Sequence, residues 1–446
     1  MNILTCLCYL ILFLKVNECN ACTPFDRNII SEKRDVENFK IFLKKFALNQ
    51  IDPLPVFNNV TVPDYQKIIE EFQNGKANPD VHLNFTQLVT KYGYPVERHE
   101  VVTEDKYCLT LFRIPNPRAP VVFLMHGLLG SSDDWIAAGT RIGLAYVLAD
   151  AGYDVWLGNA RGNRYSRCHL KLSPDCGEFW DFSFDQIGRY DLPAMIDYTL
   201  EKTITSKLLY VGHSQGNTAF YVMTSVKPEY NEKISIMVCL SAVVFMTHVR
   251  SPLVHVVAPF IGDLDILAKV LGVYELIPRD AVVNAVTSTF CGSPDLAEIF
   301  CQFIMFLGCG FNYSQINSTM LPVVYGHYPA GASTKQAIHY TQGVISSRFQ
   351  NYDYGPLQNM LEYGAAVPPD YPLQNVSCPI ALFYSTNDWL TSTADIVRFL
   401  NIVPNVVEFY RVPCALYDHF DYLFAKDNDI LINREVLRIL KEYVDF

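Results

Sequence analysis

Residues Leu208 to Ala219 read LLYVGHSQGNTA: an apolar run breaks into Gly212-His213-Ser214-Gln215-Gly216 and continues as a helix-compatible segment. That spacing decides the local geometry. A serine flanked at two residues on each side by glycine, between a strand and a helix, marks a turn so tight that a Cβ at either flank would clash. The serine oxygen then stands above the strand end, close to the main-chain N–H groups that open the helix. Gly212 and Gly216 are expected to make this elbow and Ser214 to project from it as a nucleophile.

A serine hydroxyl needs a neighbouring base, and the base needs a third group to orient it. On an elbow of this type the acid and then the histidine follow the serine in sequence. Asp388, in FYSTNDWL, comes directly after the apolar run Ala381 to Tyr384, and His419, in YDHFDY, follows the run ending near Tyr410. Both lie on loops at the carboxyl ends of strands, where ligands sit in open α/β sheets. His248, His255, His327 and His339 are rival bases, but they fall in a long excursion between strands. Asp418 and Asp421 flank His419, and either reads alternatively as a solvated loop acid. Negative charge developing on a carbonyl oxygen calls for two N–H donors. Gln215, next after the nucleophile, supplies one. Leu128, in His126-Gly127-Leu128-Leu129-Gly130, is the candidate for the other. This chemistry calls for neither a metal nor a cofactor.

Outward from the elbow, further short apolar runs repeat the strand signal: Val121 to Met125, Asp154 to Leu157, Ile236 to Leu240, Ile380 to Tyr384 and Val406 to Tyr410. Continuous apolar runs of this length are what strands buried on both faces require. Helix-compatible stretches lie between them, at Ile142 to Ala151 and Asp191 to Glu201, and Asn433 to Tyr443 closes the chain. Glu100 to Arg113 alternates about a Thr103-Glu104-Asp105 turn, as a hairpin does. The pattern predicts a mostly parallel central sheet with helices on both faces, and the serine elbow marks it as an α/β-hydrolase fold. Alternation dissolves across 245–370, which is rich in aromatic residues, Pro and Gly and carries the apolar stretch FCQFIMFL at Phe300 to Leu307. The expected organisation is a leader at 1–21, an extension or pro-segment at 22–75, a core at 76–244, a long excursion at 245–370, and the rest of the core at 371–446.

Composition bounds the partners. Of 446 residues, 50% are hydrophobic and 18% charged, and 46 acidic against 35 basic side chains give a formal net charge of −11. An acidic surface repels nucleic acid, which is bound through Lys and Arg neutralising phosphates. Met1 to Val16, MNILTCLCYLILFLKV, has the short apolar run of a secretory signal, with Cys19 and Ala21 at cleavage spacing. No later stretch is long and apolar enough to span a bilayer. Asn59, Asn84, Asn312, Asn317 and Asn375 each open an Asn-X-Ser/Thr sequon. Thirteen cysteines, three of them in the leader, leave an even number for an oxidising compartment. The chain is expected to be secreted, to the extracellular space or a gut lumen, or else lysosomal.

NPDV at Asn78, YGYPVERHEVVTEDKY from Tyr92, HGLLGSSDDW from His126, GYDVWLGNARGNRYSR from Gly152, EFWDFSFDQIGRYDLPAMIDY from Glu178, GHSQGNT from Gly212, YPAG near Pro329, FQNYDYG from Phe349, NDWL from Asn387 and DHFDYLFA from Asp418 together resemble the animal acid lipases, the gastric and lysosomal family with its insect relatives. The resemblance runs from about Asn78 to the C-terminus. It implies an α/β-hydrolase core with an inserted, mainly helical cap over 245–370, part of it a lid, and cofactor-free hydrolysis of triacylglycerols or cholesteryl esters at a lipid interface. Ser214, Asp388 and His419 match the family triad, and Leu128 and Gln215 its oxyanion donors. It also implies a disulfide in the cap, with Cys291–Cys301 the chosen pair. Cys168 and Cys176 depart from the family pattern and suggest a further local disulfide. LTSTADIV after Asp388 departs as well, as does the long N-terminal extension. The intact triad and oxyanion segments argue against a silent lipid-binding or storage protein on the same scaffold. The apolar cap argues against a carboxylesterase for soluble esters, since exposed apolar surface suits a lipid interface.

Overall fold

Alternating side chains of the central strands sort onto two buried faces, and this arrangement fixes everything above it. The computed structural model describes residues 78–258, 272–277, 308–310, 312, 314, 315, 317 and 320–444. The expected leader and extension, Asn59, Cys291, Cys301 and the stretch 300–307 lie outside these residues.

The strands are β1 (Glu97–Val102), β2 (Tyr107–Ile114), β3 (Val121–Met125), β4 (Asp154–Leu157), β5 (Cys168–His169), β6 (Leu208–His213), β7 (Ile234–Leu240), β8 (Glu275–Leu276), β9 (Ala332–Ser333), β10 (Ile380–Tyr384) and β11 (Val406–Arg411). Nine of them form one sheet in the order β1-β2-β4-β3-β6-β7-β10-β11, with the two-residue β5 added to β2. The six from β4 to β11 are parallel neighbours. The hairpin β1–β2 and the β2–β4 pairing are antiparallel. β8 and β9 form a separate two-stranded ladder.

Val121, Phe123 and Met125 of β3, Leu208 and Tyr210 of β6, and Ile380 and Leu382 of β10 point to one core. Val122, Leu124, Leu209, Val211, Ala381 and Phe383 point to the other. Every residue of β3 and β6 is buried, which is why these strands read as unbroken apolar runs. The first face is covered by helices at Leu192–Thr203, Gln215–Val226 and Thr393–Leu400, the second by helices at Phe85–Lys91, Leu144–Asp150 and Arg434–Glu442. Burial of one stripe per helix against the sheet is the main stabilising term, about 25 cal/mol per Å2 of apolar surface removed from water.

Between β7 and β10 lie helices at Pro252–Val257, Leu321–His327, Thr334–Ser346 and Pro356–Tyr363. Among the described residues no helix is long and apolar enough to cross a membrane.

The local Cys168–Cys176 pairing is not found. Cys176 is disulfide-bonded, whereas Cys168 is a free thiol facing Cys108 across the β2–β5 ladder. Two residues of β5 pair with β2, so Cys168 is committed to that strand and not to Cys176. Of the sequon asparagines, Asn84, Asn317 and Asn375 are exposed. Asn84 caps its helix through its side-chain oxygen, which accepts from Gln87 N–H. The Asn375 amide donates to the Ser225 carbonyl at 2.9 Å. Asn312 is buried, and its amide donates to an Asp421 carboxylate oxygen at 2.6 Å.

Candidate active site

β6 ends at His213, and the chain turns at Ser214 with φ 51° and ψ −115° before the helix Gln215–Val226 begins. A positive φ is uncommon for a residue with a side chain and persists where the surroundings enforce it. Space enforces it here: a Cβ on Gly216 would run into the Met125 carbonyl, and one on Gly212 into the Asn217 side chain. The turn Gly127–Gly130 lies directly against the serine, since a Cβ on Gly127 would sit 3.1 Å from Ser214 Cβ.

The structure brings Ser214, Asp388 and His419 together. Ser214 Oγ lies 2.8 Å from His419 Nε2, and His419 Nδ1 lies 2.9 Å from Asp388 Oδ2. Asp388 is fully buried, and burial alone would raise its pKa. The neighbouring His419 and the hydrogen bonds from His419, Ser241 and Thr391 outweigh that effect and hold the carboxyl at about 2. Its second oxygen accepts from the main-chain N–H groups of Leu390 and Thr391 at 2.9 and 3.0 Å. The acid is thus ionised and fixed on both oxygens.

Three further residues support this site, and one of them, Ser241, belongs to no motif read from the sequence. Ser241, first residue after β7, has φ 58° and is fully buried. Its hydroxyl donates to Asp388 Oδ2 at 2.6 Å and lies 2.8 Å from His419 Nδ1. His213 Nε2 donates to the His419 main-chain carbonyl at 3.0 Å. Burial, followed by the nearby His419, lowers the His213 pKa to about 3, so the ring is neutral. His126 Nε2 accepts from the Ala160 N–H at 3.0 Å, which places its proton on Nδ1, where it donates to the Gly127 carbonyl at 2.8 Å. Burial lowers the His126 pKa to about 4. The only advance signal for Ser241 is its place at the carboxyl end of a strand lying between β6 and β10.

Gly130 N–H closes onto the Gly127 carbonyl at 3.1 Å, and Leu129 at φ 62° takes the left-handed corner. Leu128 is held by its carbonyl, which accepts from Tyr328 Oη at 2.9 Å. Among the described residues, neither the Leu128 nor the Gln215 main-chain N–H has a main-chain acceptor. The Gln215 side chain donates to Gln336 Oε1 at 2.6 Å, tying the helix start to the helix Thr334–Ser346.

The rival residues have other partners. His327 bonds Asp133 and the Asp80 carbonyl, and His339 bonds Ser183 and the Gln350 carbonyl. His248 bonds Asp395, and His255 the Val249 carbonyl. Asp418 and Asp421 are buried, not solvated, and burial first of all raises both pKa values. Asp421 Oδ2 accepts from the Asp418 N–H at 2.9 Å and Asp418 Oδ1 from the N–H groups of Phe420 and Asp421, so neither replaces Asp388. No group of His, Cys, Asp and Glu able to hold a metal ion occurs among the described residues.

A serine on a strand-to-helix elbow, an acid and a histidine returning from later strands, and a mostly parallel sheet beneath them define the α/β-hydrolase class. Two family models agree: a partial α/β-hydrolase lipase region matches residues 85–139 and the α/β-hydrolase fold matches 120–261. The chain is 41% identical to Lipase 3 of Drosophila melanogaster over 358 residues, 79% of this chain and 91% of that one. It is 37% identical to the gastric triacylglycerol lipase of Mus musculus over 379 residues, covering 82% and 94%. It is 36% identical to the lysosomal acid lipase/cholesteryl ester hydrolase of Macaca fascicularis over 378 residues, covering 82% and 93%. The chain belongs to this family of gastric and lysosomal acid lipases and their insect relatives.

Proposed function

We propose that the protein hydrolyses carboxylic ester bonds of neutral lipids, triacylglycerols first and cholesteryl esters second, through a serine acyl-enzyme. The observation that carries this reading is the unbroken hydrogen-bond line from Ser214 through His419 to an ionised, buried Asp388. Ser214 Oγ attacks the ester carbonyl while His419 Nε2 takes its proton, then returns it to the leaving alcohol. Asp388 orients the imidazole and stabilises its charged form. The tetrahedral oxyanion is received by the Leu128 and Gln215 N–H groups, whose preorganisation contributes about 3 kcal/mol per donor to the barrier. Water, activated by the same histidine, releases the fatty acid. Ser241 acts through the pair behind it: its hydroxyl donates to Asp388 and leaves Nδ1–H shared between two oxygens. No metal or cofactor has a role in these steps.

Residues 245–370 act in this reading as a cap with a lid over Ser214, inserted between core segments 76–244 and 371–446. The leader sends the chain to an oxidising compartment, outside the cell or lysosomal. Asn84 is the foremost glycan acceptor, being exposed on a helix start, and Asn312 is the least suited, with its amide buried against Asp421.

The test is hydrolysis of triolein and cholesteryl oleate from acidic to mildly alkaline pH, with Ser214→Ala as control. Rate against concentration of a short-chain triglyceride is followed through its solubility limit. A rise beyond that limit supports a lipase; saturation below it moves the function to a soluble carboxylesterase. Failure of Ser214 to react with a fluorophosphonate leaves only a silent lipid-binding scaffold.

A further inference from the structure

The thiols of Cys108 and Cys168 meet where the short β5 joins the main sheet. Cys108 lies in β2, Cys168 in β5, and the two are direct partners in the antiparallel register. Their sulfurs are 2.7 Å apart, although 60 residues separate them in sequence. Cys168 is exposed, so an oxidant reaches the pair without unfolding. Directly opposed residues on antiparallel strands bring their Cβ atoms within about 5.5 Å. Little movement is then needed to reach disulfide geometry, with Cβ atoms about 3.5–4.5 Å apart. The segment that ends at Cys168 includes Arg161, paired with Asp105 and Asp191, and Asn163, whose amide reaches His126 Nε2 at 3.2 Å. β5 and its approach are also held on β2 by two register pairs, by the Tyr107–His169 ring contact, and by Thr110, which bonds Ser166 Oγ and the Tyr165 carbonyl.

We propose that Cys108 and Cys168 form a disulfide that clamps β5 and the 158–169 segment to β2. The partner chemistry is a small disulfide oxidant such as oxidised glutathione. One cysteine thiolate attacks the oxidant, forming a mixed disulfide and expelling one glutathione thiolate. The second cysteine thiolate then attacks the mixed disulfide and expels the other. Each pair of cysteine thiols is oxidised by two electrons, one glutathione disulfide is reduced to two thiols, and the two cysteine protons end on them. Formation in the cell rests on the oxidising route proposed above, whereas the measurement below does not.

Purified full-length protein is equilibrated with a glutathione redox couple, alkylated, and digested with trypsin without reduction. Cleavage after Lys106, Arg113, Arg167 and Lys171 isolates Cys108 in Tyr107–Arg113 and Cys168 in Cys168–Lys171. The expected product is these two peptides linked, separating on reduction. Cys176 falls in the next peptide, Leu172–Arg189, so a bond from Cys168 to it is distinguished directly. Closing a loop of this length lowers denatured-chain entropy, so reduction or Cys168→Ser should lower Tm by about 5 °C. In the Cys108→Ser/Cys168→Ser double variant, reduction should remove no more than the part of the Tm shift that belongs to Cys176. Ester hydrolysis at 25 °C should stay unchanged in the oxidised, reduced and variant forms, which separates this outcome from any failure of the hydrolase reading. Recovery of both peptides as alkylated free thiols at an oxidising poise, or of Cys168 linked elsewhere, overturns the proposal.

Discussion

Two regions flanking Ser214 bury aspartates to the same depth and treat them in opposite ways. Behind His419, Asp388 receives a hydroxyl, an imidazole and two main-chain N–H groups and is held ionised. Under the turn at Gly127–Gly130 two neighbours divide. Asp133 accepts from Arg164, His327 and Tyr165, and these overcome burial to lower its pKa. Asp134 has no side-chain donor on either oxygen, and burial, opposed only by the nearby Ser131 main chain, raises its pKa far above the ordinary carboxylate range. Sequence proximity and burial are therefore poor guides to charge. Donor supply decides it, because an ion without partners in a low-dielectric interior gives up its charge.

The strongest break in this contrast is to remove the charge from Asp388 and keep its shape. Asp388→Asn should lower kcat roughly 10^4-fold, since the amide favours the wrong imidazole tautomer, and kcat with a soluble ester checks it. Ser214→Ala should fall at least as far. Next comes Asp133→Asn, which leaves Arg164 and His327 without their anion. A loss of about 3 kcal/mol of stability is expected, read by denaturant unfolding, because breaking one side of a buried pair strands the other. Ser241→Ala is smaller. It removes one donor to Asp388, so kcat should fall about tenfold with KM little changed. The acid limb of the pH–rate profile should also move, which a purely structural change would not cause. Smallest is Asp134→Asn. A carboxyl raised in the folded state contributes stability that is complete below its unfolded pKa and lost as pH rises through the folded value. The variant should thus be more stable than the parent by about 1–2 kcal/mol at pH 7 and equal to it at about pH 3. Denaturant midpoints at the two pH values test this. Asp388 has the reverse sign: its lowered pKa contributes stability above about 4 that disappears as pH falls toward about 2.

What the sequence revealed follows from which physics is local. β3, β6, β7 and β10 were legible because strands buried on both faces leave no polar alternation, and the elbow because only glycine fits beside Met125 and Asn217. Asp388 and His419 were legible through order and strand position. Ser241 was not, since a serine after a strand carries no signal until β7 is placed beside β10. The opposition of Cys108 and Cys168 was equally hidden, because a register between residues 60 apart depends on the whole sheet. Proximity in sequence pointed to Cys176 instead.

Ser214 and Ser241 both hold left-handed backbones, at φ 51° and 58°, at the ends of adjacent strands. Each conformation costs about 1–3 kcal/mol and is maintained by the packing around it. When that packing loosens, relaxation of these two corners releases free energy, so the site is placed among the first parts of the molecule to let go. In a urea titration, then, the ability of the protein to react with a fluorophosphonate should fade at lower concentrations than its tryptophan fluorescence changes. Working capacity and native fold would part company, and an enzyme that still looks folded by its spectra would already be silent.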